Sequence, residues 1–237
     1  MARSVIPEEA RQRRRPTKQG AVLSEELIVE CALRLLGQHG SQGLTARRLG
    51  AVLGADPSTL YRYFHGIDDL IRAIADELIR QAMRDWNRTG DWQADLRDLG
   101  HRIHTAYLAH PQAAVMTASR VTGRSHEIAC DEAILGTLRT AGFPDPDAVR
   151  IYHCFIDQSL AFAALDAAAL ALPDSARQAD EEVWQATYTA LPEADFPHIA
   201  ATADLLVARM NLSAYPSALD MLLDSAAAQL ASAGKTG

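Results

Sequence analysis

The 237-residue sequence predicts an all-α protein, on three observations. Apolar residues recur at three- and four-residue spacing along most of the chain, the period of a helix with one buried face. No stretch alternates apolar and polar residues for long enough to make a strand. Pro, Gly and Asn interrupt the helical pattern at short intervals, as connections between helices require. With 48% hydrophobic residues, the chain suits one domain or two small ones sharing a boundary.

Residues 1–20, which include RQRRRPTKQG, have no hydrophobic period and read as a disordered basic arm. A first helix starts with Ser24 as N-cap and Glu25 and Glu26 against the positive end of its dipole. Its buried stripe is Leu27, Ile28, Cys31, Ala32, Leu35 and Leu36; Gly37, Gly40 and Gly43 loosen and close its end. Thr45 caps a second, short helix, ARRLGAVL, with Leu49, Val52 and Leu53 turned inward and Gly54 as a left-handed stop. Asp56 caps a third, with Pro57 at the first position, where a missing N–H costs nothing. It is expected to run to about Phe64, before Gly66. Asp68 and Asp69 open a longer fourth helix with Ile67, Leu70, Ile71, Ile74 and Leu78 on its inner face. Further helices are expected near 93–109, 111–120, 125–141, 145–171, 175–191, 197–211 and 216–232.

The expected organisation is a basic arm at 1–20, a helix-turn-helix domain at 21–67 and a larger helical body at 68–237. Charge divides the same way. The net charge is −7, which taken alone speaks against nucleic acid, but residues 1–66 hold ten Lys/Arg against six Asp/Glu, a net of +4. The remainder holds thirteen against twenty-four, a net of −11. A basic head on an acidic body points to a local polyanion contact, the alternative being chance unevenness. No apolar run is expected to reach the ~18 residues of a membrane span, and no apolar block follows the basic N-terminus as in a signal peptide. Cys31, Cys130 and Cys154 are odd in number and far apart, which fits a reducing cytoplasm and small buried hydrophobes better than disulfides or a zinc site.

The stretch TLYRYFHGIDDL puts three aromatic rings within four positions in a chain that is 6% aromatic. Two short helices joined by a glycine turn, the second capped by Asp-Pro, make a helix-turn-helix. Leu60 and Phe64, four apart, pack the second helix, leaving Ser58, Thr59, Tyr61, Arg62, Tyr63 and His65 on its open sides. Hydroxyls, histidine and arginine donate to phosphates and base edges, and a tyrosine ring can touch a thymine methyl. A DNA-facing surface wants this mixture.

Over residues 24–80 the run LTARRLGAVLGADPSTLYRYFHGIDDL resembles the DNA-binding domain of the TetR family of bacterial transcriptional repressors. The resemblance implies DNA contacts from Thr45, Arg47, Arg48, Ser58, Thr59, Tyr61, Arg62, Tyr63 and His65. One position departs: many relatives have a phosphate-holding lysine where Ile67 stands. Arg11, Arg13, Arg14, Arg15 and Lys18 of the arm offer a replacement, or form only a solvated tail. HPQAAV, LRTAGFPDPDAVRIY and ALDMLLDS resemble the C-terminal domain of the tetracycline-repressor branch, which implies a body that binds a small effector and dimerises.

The expected partners are therefore a palindromic double-stranded operator, a small-molecule effector and a second copy of the chain, with no membrane and no cofactor. Candidate pocket residues are Trp86, His101, His104, Tyr107, Met116, Phe155, Gln158, Phe162 and Trp184, with Trp92 and Tyr152 beside them; for each one, ordinary core is the alternative. The segment 148–171 is apolar on more than one face, and 216–232 carries a Leu/Ala stripe. Tyr152, Ile156, Leu160, Ala163, Leu219, Leu223, Ala226, Ala227 and Leu230 are the expected dimer interface, a four-helix bundle. Rival readings are an architectural DNA binder without effector and a helical enzyme using His101 and His104. The histidine pair lacks any carboxylate or cysteine at ligand spacing, and no catalytic fingerprint is present, so no enzyme and no metal is expected.

Overall fold

The computed structural model describes residues 23–233; the basic arm falls outside them. Helices account for all the regular structure among these residues. They divide into two units at Ile74/Ala75, seven residues beyond the expected boundary.

In the first unit, α1 (Glu25–His39) starts where Ser24 Oγ accepts from the Leu27 N–H at 3.2 Å. After a 3-10 turn at Ser41–Gly43, Thr45 Oγ1 accepts from the Arg48 N–H at 3.3 Å and opens α2 (Ala46–Leu53). Gly54 stops α2 at φ 61° and ψ 31°, left-handed backbone that only glycine adopts without penalty. Then come α3 (Pro57–Leu60) and α4 (Ile67–Met83). Ile28, Cys31, Ala32, Leu36, Leu49, Leu60, Phe64, Leu70 and Ile74 are all buried. Burying each large aliphatic side chain stabilises the unit by about 1.5–3 kcal/mol. Two expectations need correction. Val52 is 47% exposed, because an eight-residue helix with Leu49 and Leu53 inward turns Val52 away. And α3 is regular only to Leu60; the chain continues in tighter turns, with the Arg62 N–H bonded to the Thr59 carbonyl and the Tyr63 and Phe64 N–H groups sharing that of Leu60.

The second unit holds the end of α4 and then α5 (Trp92–Leu108), α6 (Pro111–Thr117), α7 (Ser125–Thr140), α8 (Asp145–Ala171), α9 (Asp174–Ala190), α10 (Pro197–Arg209) and α11 (Tyr215–Ala233). At the centre, α8 packs on α5, α6, α7 and α11. Its 27 residues are long and apolar enough to cross a membrane, contrary to expectation; one side packs on these four neighbours, while Val149, Leu165 and Leu170 on the rest of the helix stay exposed. The pair α9 and α10 pack on each other, and neither buries a residue fully.

Buried polar groups tie the helices together. Asp76 accepts from the backbone N–H groups of His126 and Glu127 at 3.1 and 2.9 Å, satisfying the first turn of α7. Asp95 accepts from the Thr89 N–H and hydroxyl and fixes the turn before α5. Ser159 and Tyr215 share a 2.8 Å hydrogen bond between α8 and α11. Cys31 and Cys130 are buried, but Cys154 is exposed, so it does not serve as core.

Candidate nucleic-acid interface

The α2–α3 corner is set by backbone closeness. A Cβ on Gly50 would lie 2.8 Å from the Ala55 carbonyl oxygen and 3.1 Å from the Pro57 nitrogen, so only glycine lets α2 meet the start of α3. The Ala55 N–H closes the turn on the Gly50 carbonyl at 2.9 Å. Sequence reasoning passed over Gly50; its signal was a glycine inside an otherwise good helical run.

Asp56 then caps α3. Its Oδ1 accepts from the Ser58 N–H at 2.8 Å and from the Ser58 hydroxyl at 2.6 Å, and these two bonds hold the carboxyl below the usual carboxylate range. The Ser58 hydroxyl keeps its acceptor lone pairs. Thr59 is half-buried, Tyr61 is 58% exposed, and Arg62 and His65 are exposed. Across the turn, Arg47 and Arg48 stand exposed on α2, and none of the three arginines forms an ion pair among the described residues. Thr45 is exposed, its oxygen engaged in the α2 cap. Tyr63 departs from the expected outward pose: its hydroxyl donates to the Leu23 carbonyl at 2.8 Å and anchors the entry to α1. Ile67 is half-buried and supplies no charge.

The surface thus combines three guanidinium groups without an ion pair among the described residues, an exposed phenol, an imidazole and hydroxyls around one glycine turn. It can contact several phosphates and reach base edges.

In the second unit the expected pocket residues scatter. Tyr107 and Phe155 are buried to 1% and 0% exposure and belong to the core, with burial pushing the Tyr107 phenol well up. Trp86, Met116, Gln158, Phe162 and Trp184 are half-buried, and the Trp86 and Trp184 indole N–H groups are buried without an acceptor. His101 and His104 flank the Tyr215 ring, with His104 stacked at 4.7 Å and 18°. His101 borders a cleft of about 500 Å³ beside Arg84 and Arg102. His104 Nε2 meets Asp166 Oδ2 at 2.8 Å. Among the described residues no three His, Cys, Asp or Glu are grouped to hold a metal.

The expected dimer residues split. Ala163, Leu219, Leu223 and Ala226 are buried inside one protomer and are not available to a partner. Tyr152, Ile156, Leu160, Ala227 and Leu230 remain half-exposed.

A helix-turn-helix unit joined to a second, all-helical unit defines a class of helical regulatory proteins. Residues 28–74 match the family of bacterial regulatory proteins of the tetR family, and residues 86–229 match its tetracyclin repressor-like C-terminal domain. The chain belongs to the TetR family.

Among relatives, the HTH-type transcriptional repressor DrrR1 of Streptomyces coeruleorubidus is 28% identical over 138 residues, 57% of this chain and 51% of that protein. The chain spans about half the length of the curated relatives it matches. A possible TetR family transcriptional regulator from Streptomyces coelicolor A3(2) superposes with a TM-score of 0.72 at 28% identity, over 86% of this chain and 99% of that one. The Streptomyces coelicolor TetR family protein ActR, solved in complex with (S)-DNPA, shares the fold with a TM-score of 0.76 at 20% identity, over 88% and 99% of the two chains.

Proposed function

We propose that this protein is a homodimeric transcriptional regulator that represses by binding a palindromic operator and is released by a small-molecule effector. The observation that carries the reading is the exposed set Arg47, Arg48, Ser58, Tyr61, Arg62 and His65 on a glycine-closed helix-turn-helix. A relative named as a transcriptional repressor supports the polarity. One recognition segment touches only a few base pairs, so a two-fold partner that adds a second half-site is needed for specificity in a genome. The half-exposed face Tyr152, Ile156 and Leu160 of α8, continued by Val149 at 46% exposure, is apolar surface that suits such a partner.

Effector release needs a ligand that prefers a body conformation in which the two recognition segments no longer match the groove. The boundary at Ile74/Ala75 lies inside α4, so that helix belongs to both units and is the natural lever. ActR, of the same fold, is solved with a small molecule, which supports an effector-binding body. Linkage then requires operator DNA to weaken effector binding by the same factor.

Selecting bound fragments from a pool of random duplexes at moderate salt tests the reading. Enrichment of an inverted repeat is the expected result. A pool that stays random contradicts it.

A further inference from the structure

A cleft of about 670 Å³ opens between the C-terminal half of α8, the first half of α9 and the α10–α11 connection. That is the size of a site for a drug-sized molecule. None of the nine pocket residues expected from the sequence lines it. Its apolar wall is open to water: Leu170 is 47% and Leu212 64% exposed. Its polar wall is acidic, with Asp166, Asp174 and Glu181 against a single cation, Arg177. Arg177 is already ion-paired with Asp174 one turn away.

The two remaining carboxylates are oriented. Glu181 Oε1 accepts from the Asn211 amide at 2.8 Å. Asp166, with its side chain only 21% exposed, accepts from the Ser213 hydroxyl at 2.5 Å and meets His104 Nε2 at 2.8 Å. Each carboxylate keeps lone pairs beyond these contacts. Oriented acceptors beside exposed leucines match a ligand that brings positive charge on an apolar body; an anion of the same shape meets excess negative charge.

We propose that this cleft binds an organic cation with an apolar body, and that such cations are the effector class of the regulator. The second half rests on the regulator reading above. Asp166 supplies the coupling. Its Oδ2 joins α8 to α5 through His104 and to the α10–α11 connection through Ser213, and His104 stacks on Tyr215 at the start of α11. A cation drawn to Asp166 competes for that oxygen and loosens the joint, which gives occupied and empty cleft different helix arrangements.

Titration calorimetry on the full chain tests the proposal with tetraphenylphosphonium and its anionic counterpart of the same shape, tetraphenylborate. The cation is expected to bind once per chain and the anion not at all. Glu181→Gln and Asp166→Asn should each weaken the cation roughly threefold to tenfold. Glu181 is exposed, so its variant keeps the fold even if the Asp166 variant does not. No binding of the cation, equal binding of the anion, or unchanged affinity in Glu181→Gln overturns the proposal. Cation binding lost at protein concentrations where a dimer forms does so too, because a second copy then covers the cleft. DNA selection without any cation separates the two readings. DNA selected but no cation bound leaves the regulator and removes the effector class; the reverse keeps the cleft and removes the regulator.

Discussion

The Tyr63 hydroxyl donates to the Leu23 carbonyl at 2.8 Å, a hydrogen bond that spans 40 residues and pins the stretch after α3 to the entry of α1. The neighbouring aromatic two positions earlier, Tyr61, is exposed and free of that duty. Tyr63→Phe keeps the ring and removes one part-buried bond, so urea unfolding should lose about 1 kcal/mol. Tyr61→Phe should leave stability unchanged and weaken DNA binding. Equal stability of the two variants would remove the anchoring role from Tyr63.

Gly100 in α5 faces α11 at a distance no side chain tolerates. A Cβ there would lie 2.5 Å from the Tyr215 hydroxyl oxygen and 2.8 Å from Leu219 Cδ2. Tyr215 is fully buried, and burial pushes its phenol up to about 12. Gly100→Ala is expected to cost about 1–3 kcal/mol through overpacking, read as a lower thermal midpoint. A neutral substitution would show that α5 and α11 are not in this contact.

Much of the first unit was legible because its signals are local. Ser24, Thr45 and Asp56 are caps whose side chains serve N–H groups two or three residues away, and Gly54 is a stop readable from one position. What failed depended on the third dimension. Nothing local says that the Tyr63 hydroxyl reaches Leu23, or that Gly50 lies against Ala55. In α8 the apolar pattern covers too much of the circumference to fix a phase. Ala163 therefore looked like partner surface although it is buried, and Phe155 looked like pocket lining. The acidic cleft joins the consecutive ends of α8 and α9 to the distant α10–α11 connection, and neither stretch carries a mark of it alone.

Acid should destabilise the second unit through His110. Burial pushes this imidazole's pKa below its ordinary 6.5, with the nearby Glu77 charge opposing. The folded state therefore disfavours the protonated ring. Its stabilising contribution is present above the unfolded value and is lost as pH falls below about 6.5. The thermal midpoint should fall more steeply with acid in the wild type than in His110→Asn, which cannot titrate and suits the N-cap position that His110 occupies without a side-chain hydrogen bond. Identical pH profiles would contradict this.

Self-association should depend on the open face of α8. Ile156→Asp places a charge on half-exposed apolar surface, so sedimentation should show a folded monomer with weak operator binding. Leu223→Asp buries an unpaired charge in the protomer's own core, costs several kcal/mol and should unfold the chain instead. A stable Ile156→Asp dimer would move the interface to another face.

If the segment following Asp56 reads DNA, the Arg62 guanidinium is the group whose loss shows it most directly. Duplexes selected by the wild type are titrated with wild type and with Arg62→Ala across a range of salt. If Arg62 meets a phosphate, affinity should drop for every sequence and the slope of log affinity against log salt should become shallower by about one. If it meets a guanine edge, one base position should relax at a cost of about 1–3 kcal/mol. An Arg62→Ala protein with the same selected sequence, affinity and salt slope as the wild type would contradict the account.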